Sequence, residues 1–148
     1  MIKWQWLRFE QLSTEQLYQI IGLREAVFVV EQNCPYQDVD GRDQNAWHLL
    51  GTQSNQLLAY ARAFEPTELD SSIGRVVTAA SARGQGLGQQ LMQHAIHFCQ
   101  AQWPKANIHI SAQRYLENFY QGLGFAVCSE PYLEDNIPHI GMEIVAKR

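Results

Sequence analysis

The sequence predicts an α/β (α+β) protein built on one mixed β-sheet with helices on its faces. Segments that alternate polar and apolar residues, such as "IKWQWLRF", are typical of half-buried strands. Other segments repeat apolar residues every three to four positions, which is the spacing of a helix that buries one face. Because the two patterns alternate along the chain, the predicted element order is β-α-β-β-β-α-β-α-β-β.

Seven segments are predicted as strands, each bounded by turn residues such as glycine, proline or asparagine. The predicted strands cover residues 2–9, 46–53, 57–65, 72–80, 106–113, 125–130 and 139–147. The second and third are separated by Ser54, Asn55 and Gln56, which indicates a hairpin-like connection.

Three segments are predicted as helices. The first begins at Ser13 and Gln16, which have the spacing of a capping box, and its apolar face extends to Phe28. The second follows a glycine-rich turn and must end near Pro104, because proline cannot continue a helix. The third is short and ends before Gly124, which suits a left-handed cap.

Length, charge and composition exclude several classes of function. A chain of 148 residues is predicted to form a single domain, residues 1–148. The formal charge of −4 and the lack of a Lys/Arg cluster argue against a nucleic-acid partner. The start of the chain has no signal-peptide core, and no segment approaches the roughly 20 apolar residues of a membrane helix. We therefore expect a cytoplasmic protein without a membrane partner.

No metal site is predicted. The three cysteines, Cys34, Cys99 and Cys128, form no CxxC pair, so we expect reduced thiols. The acidic loop around Gly41 only superficially resembles a calcium loop. Arg42 would stand at position five and Asp43 at position six, where an oxygen ligand and a glycine are required.

The turn before the second helix, "RGQGLG", Arg83 to Gly88, is the most informative stretch. A Walker phosphate loop needs Lys and then Ser or Thr after its last glycine, but Gln89 follows here. A dinucleotide fingerprint needs G-x-G-x-x-G in the first βαβ unit, whereas this G-x-G-x-G turn follows four strands. Both nucleotide-binding interpretations therefore fail.

A turn of small residues at a helix start can still bind an anion. Free backbone N–H groups at a helix N-terminus hold a diphosphate, and Arg83 can add a charge-assisted hydrogen bond. Taken alone, the glycines are equally consistent with a tight turn that binds nothing.

Two motifs together resemble those of the GNAT N-acetyltransferases. Residues 83–88 match the R/Q-x-x-G-x-G/A signature of that family. The segment "QRYLENFYQGLGF", residues 113–125, resembles the N-x-x-x-x-x-x-Y-x-x-x-G-F pattern after the fifth strand, although Gln113 replaces the usual Asn. The predicted element order resembles the family fold over nearly the whole chain, which implies a mostly antiparallel sheet.

Within that superfamily, the sequence looks closest to the bacterial ElaA-like proteins. The similarity rests on "LREAVFVVEQNCPYQDVDGRD", "HLLG", "IGRVV" and "DNIPHIGM". These stretches cover both ends and the middle of the chain. They indicate the subfamily to which the protein is similar, but they say little about its substrate.

The resemblance implies an acetyl-CoA site, with acetyl-CoA as co-substrate and no metal. Family members hold the CoA diphosphate on the amides of the turn and the pantetheine arm between the fourth and fifth strands. A backbone N–H near Val77 would polarise the thioester carbonyl. The implied cofactor-binding residues are Val76, Val77, Thr78, Arg83, Gly84, Gln85, Gly86, Leu87, Gly88, Gln113 and Tyr120.

The chemistry of acyl transfer needs a neutral amine and a protonated leaving thiol. In the family, a tyrosine at the position of Tyr120 often supplies the proton, and a packing role on the short helix is the alternative. Glu31 at the end of the first helix and His139 near the last strand are candidate bases, with His48 a weaker candidate. Ordered water could replace any of these bases.

Acidic residues in two predicted loops suggest the charge of the acceptor. The sequence predicts an acidic mouth for a cationic amine, with solvated loop acids as the alternative. The acids concerned are Asp38, Asp40, Asp43, Glu134 and Asp135.

The predicted function is acyl transfer from acetyl-CoA to a primary amine of a small molecule or peptide. A non-catalytic acyl-CoA-binding or sensing domain is the alternative, and Tyr120 together with the intact turn favours the enzyme. The segment "REAVFVVEQ" also resembles acyl-homoserine lactone synthases, whose glycine turn is less regular. Homodimers are common in the family, so the resemblance allows a homodimer, but no stretch of the sequence identifies an interface.

Overall fold

The computed structural model describes residues 1–147; Arg148, which the predicted domain includes, lies outside the described residues. The strands are β1 (Lys3–Arg8), β2 (Trp47–Gln53), β3 (Gln56–Thr67), β4 (Asp70–Thr78), β5 (Asn107–Gln113), β6 (Ala126–Val127), β7 (Tyr132–Glu134) and β8 (Ile137–Ile144). The helices are α1 (Thr14–Arg24), α2 (Leu87–Gln102) and α3 (Glu117–Gln121), and π-helical turns extend α1 over Glu25–Glu31. None of the helices in this part of the chain is long and apolar enough to cross a membrane.

The strands form one sheet in the order β1-β2-β3-β4-β5-β8-β6, with β7 paired to β8. Within residues 1–147, β4 and β5 are the one parallel pair, and every other pair is antiparallel. Strands β4 and β5 run parallel because α2 forms a crossover between them. The prediction of a mixed, mostly antiparallel sheet with helices on its faces is confirmed.

The first helix begins where its sequence predicts. The Oγ atom of Ser13 accepts a hydrogen bond from the Gln16 N–H at 3.0 Å, and Gln16 Oε1 accepts one from the Ser13 N–H at 2.9 Å. This is the predicted capping box. The helix does not continue regularly to Phe28, however, because π-helical turns begin at Glu25. The wider turns bring Phe28 and Glu31 to the cleft described below.

Helix α2 packs on one face of the sheet and ends next to Trp103, as Pro104 requires. The Phe98 ring of α2 stacks on Trp6 of β1 with 3.9 Å between ring centroids. The residues of β3 below α2 are small: they are Ala59, Ala61 and Ala63, all fully buried. Small side chains at these positions allow the helix to lie close to the sheet.

Helix α1 and its π-helical turns cover the opposite face. Ile20 of α1 packs in a separate buried cluster with Leu50, Tyr60 and Val77. In β2, Leu49 belongs to the α2 side and Leu50 to the α1 side, because successive side chains of a strand point to opposite faces. The central strands are therefore buried on both faces.

The structure corrects the prediction near the C-terminus. The predicted strand 125–130 is reduced to β6, and an unpredicted strand, β7, forms a hairpin with β8. The described sheet therefore has eight strands, one more than predicted. Past β6, the Oγ atom of Ser129 accepts the Gly141 N–H at 2.8 Å, and Pro131 has no N–H to donate. The regular pairing of β6 with β8 therefore does not continue through Ser129.

Candidate active site

A cleft of about 420 Å³ opens where β4 and β5 separate. The two strands pair only between Asp70–Ser72 and Asn107–His109. Beyond Ser72, no described strand pairs with the edge of β4 that faces β5, so backbone groups there are available to a ligand. At the end of this edge, the Thr78 carbonyl accepts a hydrogen bond from Arg83 Nη2 at 3.3 Å. The π-helical turns, α3 and the start of β8 form the other walls.

Strand β4 is irregular beside the cleft. Its pairing with β3 shifts register, so that two residues of β4, Arg75 and Val76, lie opposite one residue of β3. Arg75 has a φ of 49°, a left-handed conformation that is costly for a residue with a side chain. The bulge bends the strand just before Val77, and both valines line the cleft.

The turn of residues 83–88 brings the start of α2 to one end of the cleft. Gly84 and Gly86 have φ values of 81° and 74°, which glycine adopts at little cost. Within residues 1–147, no hydrogen bond uses the backbone N–H groups from Gly84 to Gln89. Free amides at the N-terminus of a 16-residue helix form a site for an anion.

Arg83 and Glu31 face each other across this end of the cleft. Arg83 Nη1 lies 2.7 Å from Glu31 Oε2, and Arg83 Nη2 lies 3.0 Å from Glu31 Oε1. The hydrogen bonds from Arg83 lower the pKa of Glu31 below its usual value, slightly opposed by burial. The two predicted site residues therefore pair with each other.

A second bridge crosses the cleft one residue further along the chain. Gln32 Nε2 donates to Gln113 Oε1 at 3.3 Å, and Gln113 Nε2 donates back to Gln32 Oε1 at 3.2 Å. Cys34 Sγ then donates to the backbone oxygen of Asp135 at 3.3 Å. Residues 31–34 thus contact the glycine turn, the end of β5 and the β7–β8 turn.

Tyr120 of α3 lines the cleft and is only 6% exposed. Burial, with a smaller effect from Tyr115, raises the pKa of Tyr120 to about 12. The rings of Phe119 and Phe125 pack against it edge-on, at centroid distances of 5.1 and 5.9 Å. Tyr120 is therefore both a packed side chain and a protonated donor near neutral pH.

The other end of the cleft holds a polar cluster around His139. The Nδ1 atom of this buried histidine lies 2.7 Å from the backbone oxygen of Ile137, which can only accept. In the neutral ring the proton is therefore on Nδ1, and Nε2 has the free lone pair. Nε2 lies 3.6 Å from Glu134 Oε2. Ser111 Oγ contacts the Tyr132 hydroxyl and donates to Glu134 Oε1 at 3.3 Å.

The aspartates of the 33–45 loop do not form the predicted acidic mouth. Their carboxylates are ion-paired at distances of 2.6 to 3.4 Å: Asp38 with Arg24 and Arg75, Asp40 with Arg62 and Arg75, and Asp43 with Arg24 and Arg62. Three guanidinium groups therefore neutralise three carboxylates. Of the five predicted acids, Glu134 and Asp135 alone line the cleft.

His48 lies outside the cleft and is fully buried. Its Nε2 atom lies 2.8 Å from the Asp43 backbone oxygen, so Nε2 carries the proton and Nδ1 accepts from the Tyr60 hydroxyl at 2.6 Å. Burial also lowers the pKa of His48. Both ring nitrogens are occupied, so His48 supports the packing of the loop rather than proton transfer. Within residues 1–147, no group of His, Cys, Asp and Glu side chains could hold a metal ion.

The sequence did not point to Ser111 and Gln32, which line the cleft, or to Tyr132, which contacts Ser111. Ser111 is two positions before Gln113 on the same predicted strand, so strand alternation could have placed both on one face. Gln32 follows Glu31 directly, but its partner is 81 residues away. Tyr132 belongs to the hairpin that was not predicted.

Comparison with known proteins agrees with this architecture. The family profile described as "Acetyltransferase (GNAT) domain" matches residues 10–146. The sequence is 48% identical to Protein ElaA of Escherichia coli (strain K12) over 146 residues, covering 96% of this chain and 95% of ElaA. The crystal structure of ElaA superposes with a TM-score of 0.91 at 47% identity, over 97% of this chain and 99% of that one.

Two further solved structures extend the comparison. An acyl-CoA N-acyltransferase from Pseudomonas aeruginosa has a TM-score of 0.93 at 44% identity, over 98% of this chain and 100% of that one. A CoA-dependent acyl-homoserine lactone synthase has a TM-score of 0.81 at 19% identity, over 100% of this chain and 85% of that one, which shows a shared fold alone. From the profile match and the ElaA similarity, the chain belongs to the GNAT acetyltransferase family and is a relative of ElaA.

Proposed function

We propose that this protein, acting as a single domain, transfers an acetyl group from acetyl-CoA to a primary amine of a small molecule or peptide. One observation carries the proposal: the glycine turn with its free amides at residues 84–88, the edge of β4 that β5 leaves unpaired, and Tyr120 all border one cleft. Acetyl-CoA has a part to match each of them, namely a diphosphate, an arm with two amides, and a thioester.

The chain's polar groups fit the first two parts. The amides of residues 84–88 and the positive end of the α2 dipole would hold the diphosphate. Arg83 would break its ion pair with Glu31 and bind the diphosphate instead. The backbone of Val76–Thr78 would pair with the amides of the arm, in place of the strand contact that β5 does not make. Gln113, at the end of β5, would contact the arm from the other side.

At the thioester, the carbonyl oxygen and the departing sulfur both gain negative charge, and each needs a hydrogen-bond or proton donor. A backbone N–H beside Val77 would stabilise the negative charge on the carbonyl oxygen as the amine attacks. The bond from nitrogen to the acyl carbon forms, and the bond from carbon to sulfur breaks. Tyr120 would then donate its proton to the departing sulfur.

Burial makes that proton transfer reasonable in energy. An exposed thiol has a pKa near 8.5, well below the value of about 12 for Tyr120. In this protein, burial raises the pKa of the Cys99 thiol to about 12 as well. A thiolate released beside the buried Tyr120 would be destabilised for the same reason, which reduces the difference in acid strength between Tyr120 and the sulfur.

Of the two candidate bases, His139 is the better placed. Its Nε2 atom has a free lone pair at the cleft, whereas the carboxylate of Glu31 is held by Arg83 and has a lowered pKa. We assign proton removal from the amine to His139, directly or through water. Glu31 would be released only when Arg83 turns to the diphosphate.

A non-catalytic acyl-CoA-binding or sensing domain is the second candidate function. The open β4 edge and the glycine turn serve such a domain equally well. A buried phenol beside the thioester position favours the enzyme, because binding alone needs no proton donor there.

The first test is calorimetric titration with acetyl-CoA, with ATP and NADH as controls. We expect binding of acetyl-CoA alone, followed by thiol release when primary amines are added. Longer acyl-CoA thioesters in the same assay would define the acyl group. Absence of binding to folded protein would contradict both candidate functions, and binding without turnover would leave the sensing domain.

The variant Tyr120→Phe tests the proton donor. We expect kcat to fall by about 100-fold, within the usual range for loss of an acid catalyst, while the Kd for acetyl-CoA stays unchanged. Tyr115→Phe is the matched control, because Tyr115 also lines the cleft but is 75% exposed. Normal turnover by Tyr120→Phe would show that the sulfur receives its proton from another group.

A further inference from the structure

The β7–β8 turn presents two acids to the cleft that have no arginine or lysine partner within residues 1–147. The Glu134 side chain is 50% exposed, and Asp135 beside it is also exposed. Asp135 and Asn136 have φ values of 50° and 64°, as in the tight two-residue turn of a β-hairpin. The hairpin and the Cys34 contact hold both carboxylates at one end of the cleft.

The surrounding elements do not neutralise these acids. Arg75 on β4 is engaged by Asp38 and Asp40, and Arg83 is engaged by Glu31. Strand β5 contributes only uncharged side chains to the lining of the cleft, namely Ile110, Ser111 and Gln113. The end of the cleft beside β7 and β8 therefore has an excess of negative charge.

A buried histidine points to what would be bound beside these acids. His139 is 6% exposed, its Nδ1 atom is engaged by the Ile137 carbonyl, and its Nε2 atom has no hydrogen-bond partner within residues 1–147. His139 lines the cleft, so a ligand bound there can supply a partner for Nε2. This atom faces the cleft 3.6 Å from the Glu134 carboxylate.

We propose that this end of the cleft is an acceptor subsite for an amine that carries a second positive charge, as in a diamine. The inference rests on the proposed function. The reacting ammonium gives one proton to His139 Nε2, and its nitrogen then attacks the acyl carbon. The second ammonium stays charged and is held by Glu134 and Asp135. Sulfur leaves with the proton from Tyr120, and the second proton that the nitrogen loses as the amide forms returns to Tyr120, directly or through water, so charge and protons balance.

The test compares two amines of equal chain length, 1,4-diaminobutane and n-butylamine, with acetyl-CoA as donor. We expect kcat/KM to be about fivefold higher for the diamine, the size of one partly exposed ion pair. The preference should arise in KM and decrease as salt concentration rises. In the Glu134→Gln, Asp135→Asn double variant, the ratio should fall to about one. Glu130→Gln removes the same kind of charge from an exposed site outside the cleft and should leave the ratio unchanged.

The outcomes separate this inference from the proposed function. Thiol release with equal kcat/KM for both amines would overturn the subsite and leave the acetyltransferase intact. If neither amine is acetylated, the proposed function fails for these amines, and calorimetry on the CoA-saturated protein decides the subsite. Tighter binding of the diamine that is lost in the double variant supports it, and equal binding overturns it.

Discussion

The 33–45 loop and the β7–β8 turn are both acidic in sequence, but their acids have different surroundings in the structure. In the loop, Asp38 and Asp43 are buried, and each loop aspartate pairs with two guanidinium groups. In the turn, Glu134 and Asp135 have no such partners among the described residues and remain exposed. The loop acids therefore hold the loop against β3 and β4, whereas the turn acids are available to a ligand.

The difference shows that a count of acids in a sequence does not give the charge that a ligand meets. A carboxylate is buried only when cations and hydrogen bonds compensate for its lost hydration. Such compensation also removes its field from the cleft. The partner of each acid, rather than its presence, decides whether it is structural or functional.

Removing a loop acid should have the largest effect. In Asp43→Ala, the buried guanidinium groups of Arg24 and Arg62 each lose a partner at 2.7 and 2.8 Å. We expect the free energy of unfolding to fall by about 3 kcal/mol or more, because an uncompensated buried charge remains. Urea denaturation measures the change, and Glu134→Gln is the matched variant in the turn, expected to change stability by less than about 0.5 kcal/mol. Equal stability losses in the two variants would abolish the distinction between the regions.

Acid should destabilise the protein through the loop network. The hydrogen bond from Arg62 holds the pKa of Asp40 well below its usual range, although burial opposes it. At Asp43, burial raises the pKa, but Arg24 and Arg62 outweigh it and the pKa is lowered. Both groups have lower pKa values when folded than the roughly 3.9 of an unfolded Asp. Their stabilisation is therefore present above about pH 4 and is lost as pH falls toward the folded values.

The variant Asp40→Asn tests this sign. Below about pH 4, we expect the unfolding free energy of this variant to fall less steeply with pH than that of the wild type. The two slopes should differ by up to about 1.4 kcal/mol per pH unit, the value for one proton. Urea unfolding between about pH 3 and pH 6 measures the slope. Parallel curves for wild type and Asp40→Asn would contradict the role of the network.

Glu31 is an intermediate case, because it is exposed yet paired with Arg83. If Arg83 must leave Glu31 to meet the diphosphate, Glu31→Gln should bind acetyl-CoA about two- to fivefold more tightly, the range for an exposed ion pair. Calorimetric Kd values at low and high salt measure the effect, which salt should reduce. Glu130→Gln is the control for net charge. Weaker binding by Glu31→Gln would mean that Glu31 assists the co-substrate.

Local patterns predicted most of the fold but not the C-terminal hairpin. The capping box at Ser13 and the end of α2 at Pro104 depend on neighbouring residues, so the sequence alone predicts them. Strand β7 is three residues long and β6 is two, which is too short for alternation to be recognised. The Asp135-Asn136 turn was an available signal, because both residue types tolerate positive φ.

The sequence by itself determined the fold class, the position of the glycine turn and the family, because these depend on local periodicity and on two spaced motifs. The tertiary structure alone decided which charges cancel and which side chains bridge the cleft. Arg83 meets Glu31 across 52 residues of sequence, and Gln113 meets Gln32 across 81. Such pairs depend on where the sheet brings distant segments together. Side chains that meet across so many residues of sequence leave no periodic pattern in a single sequence.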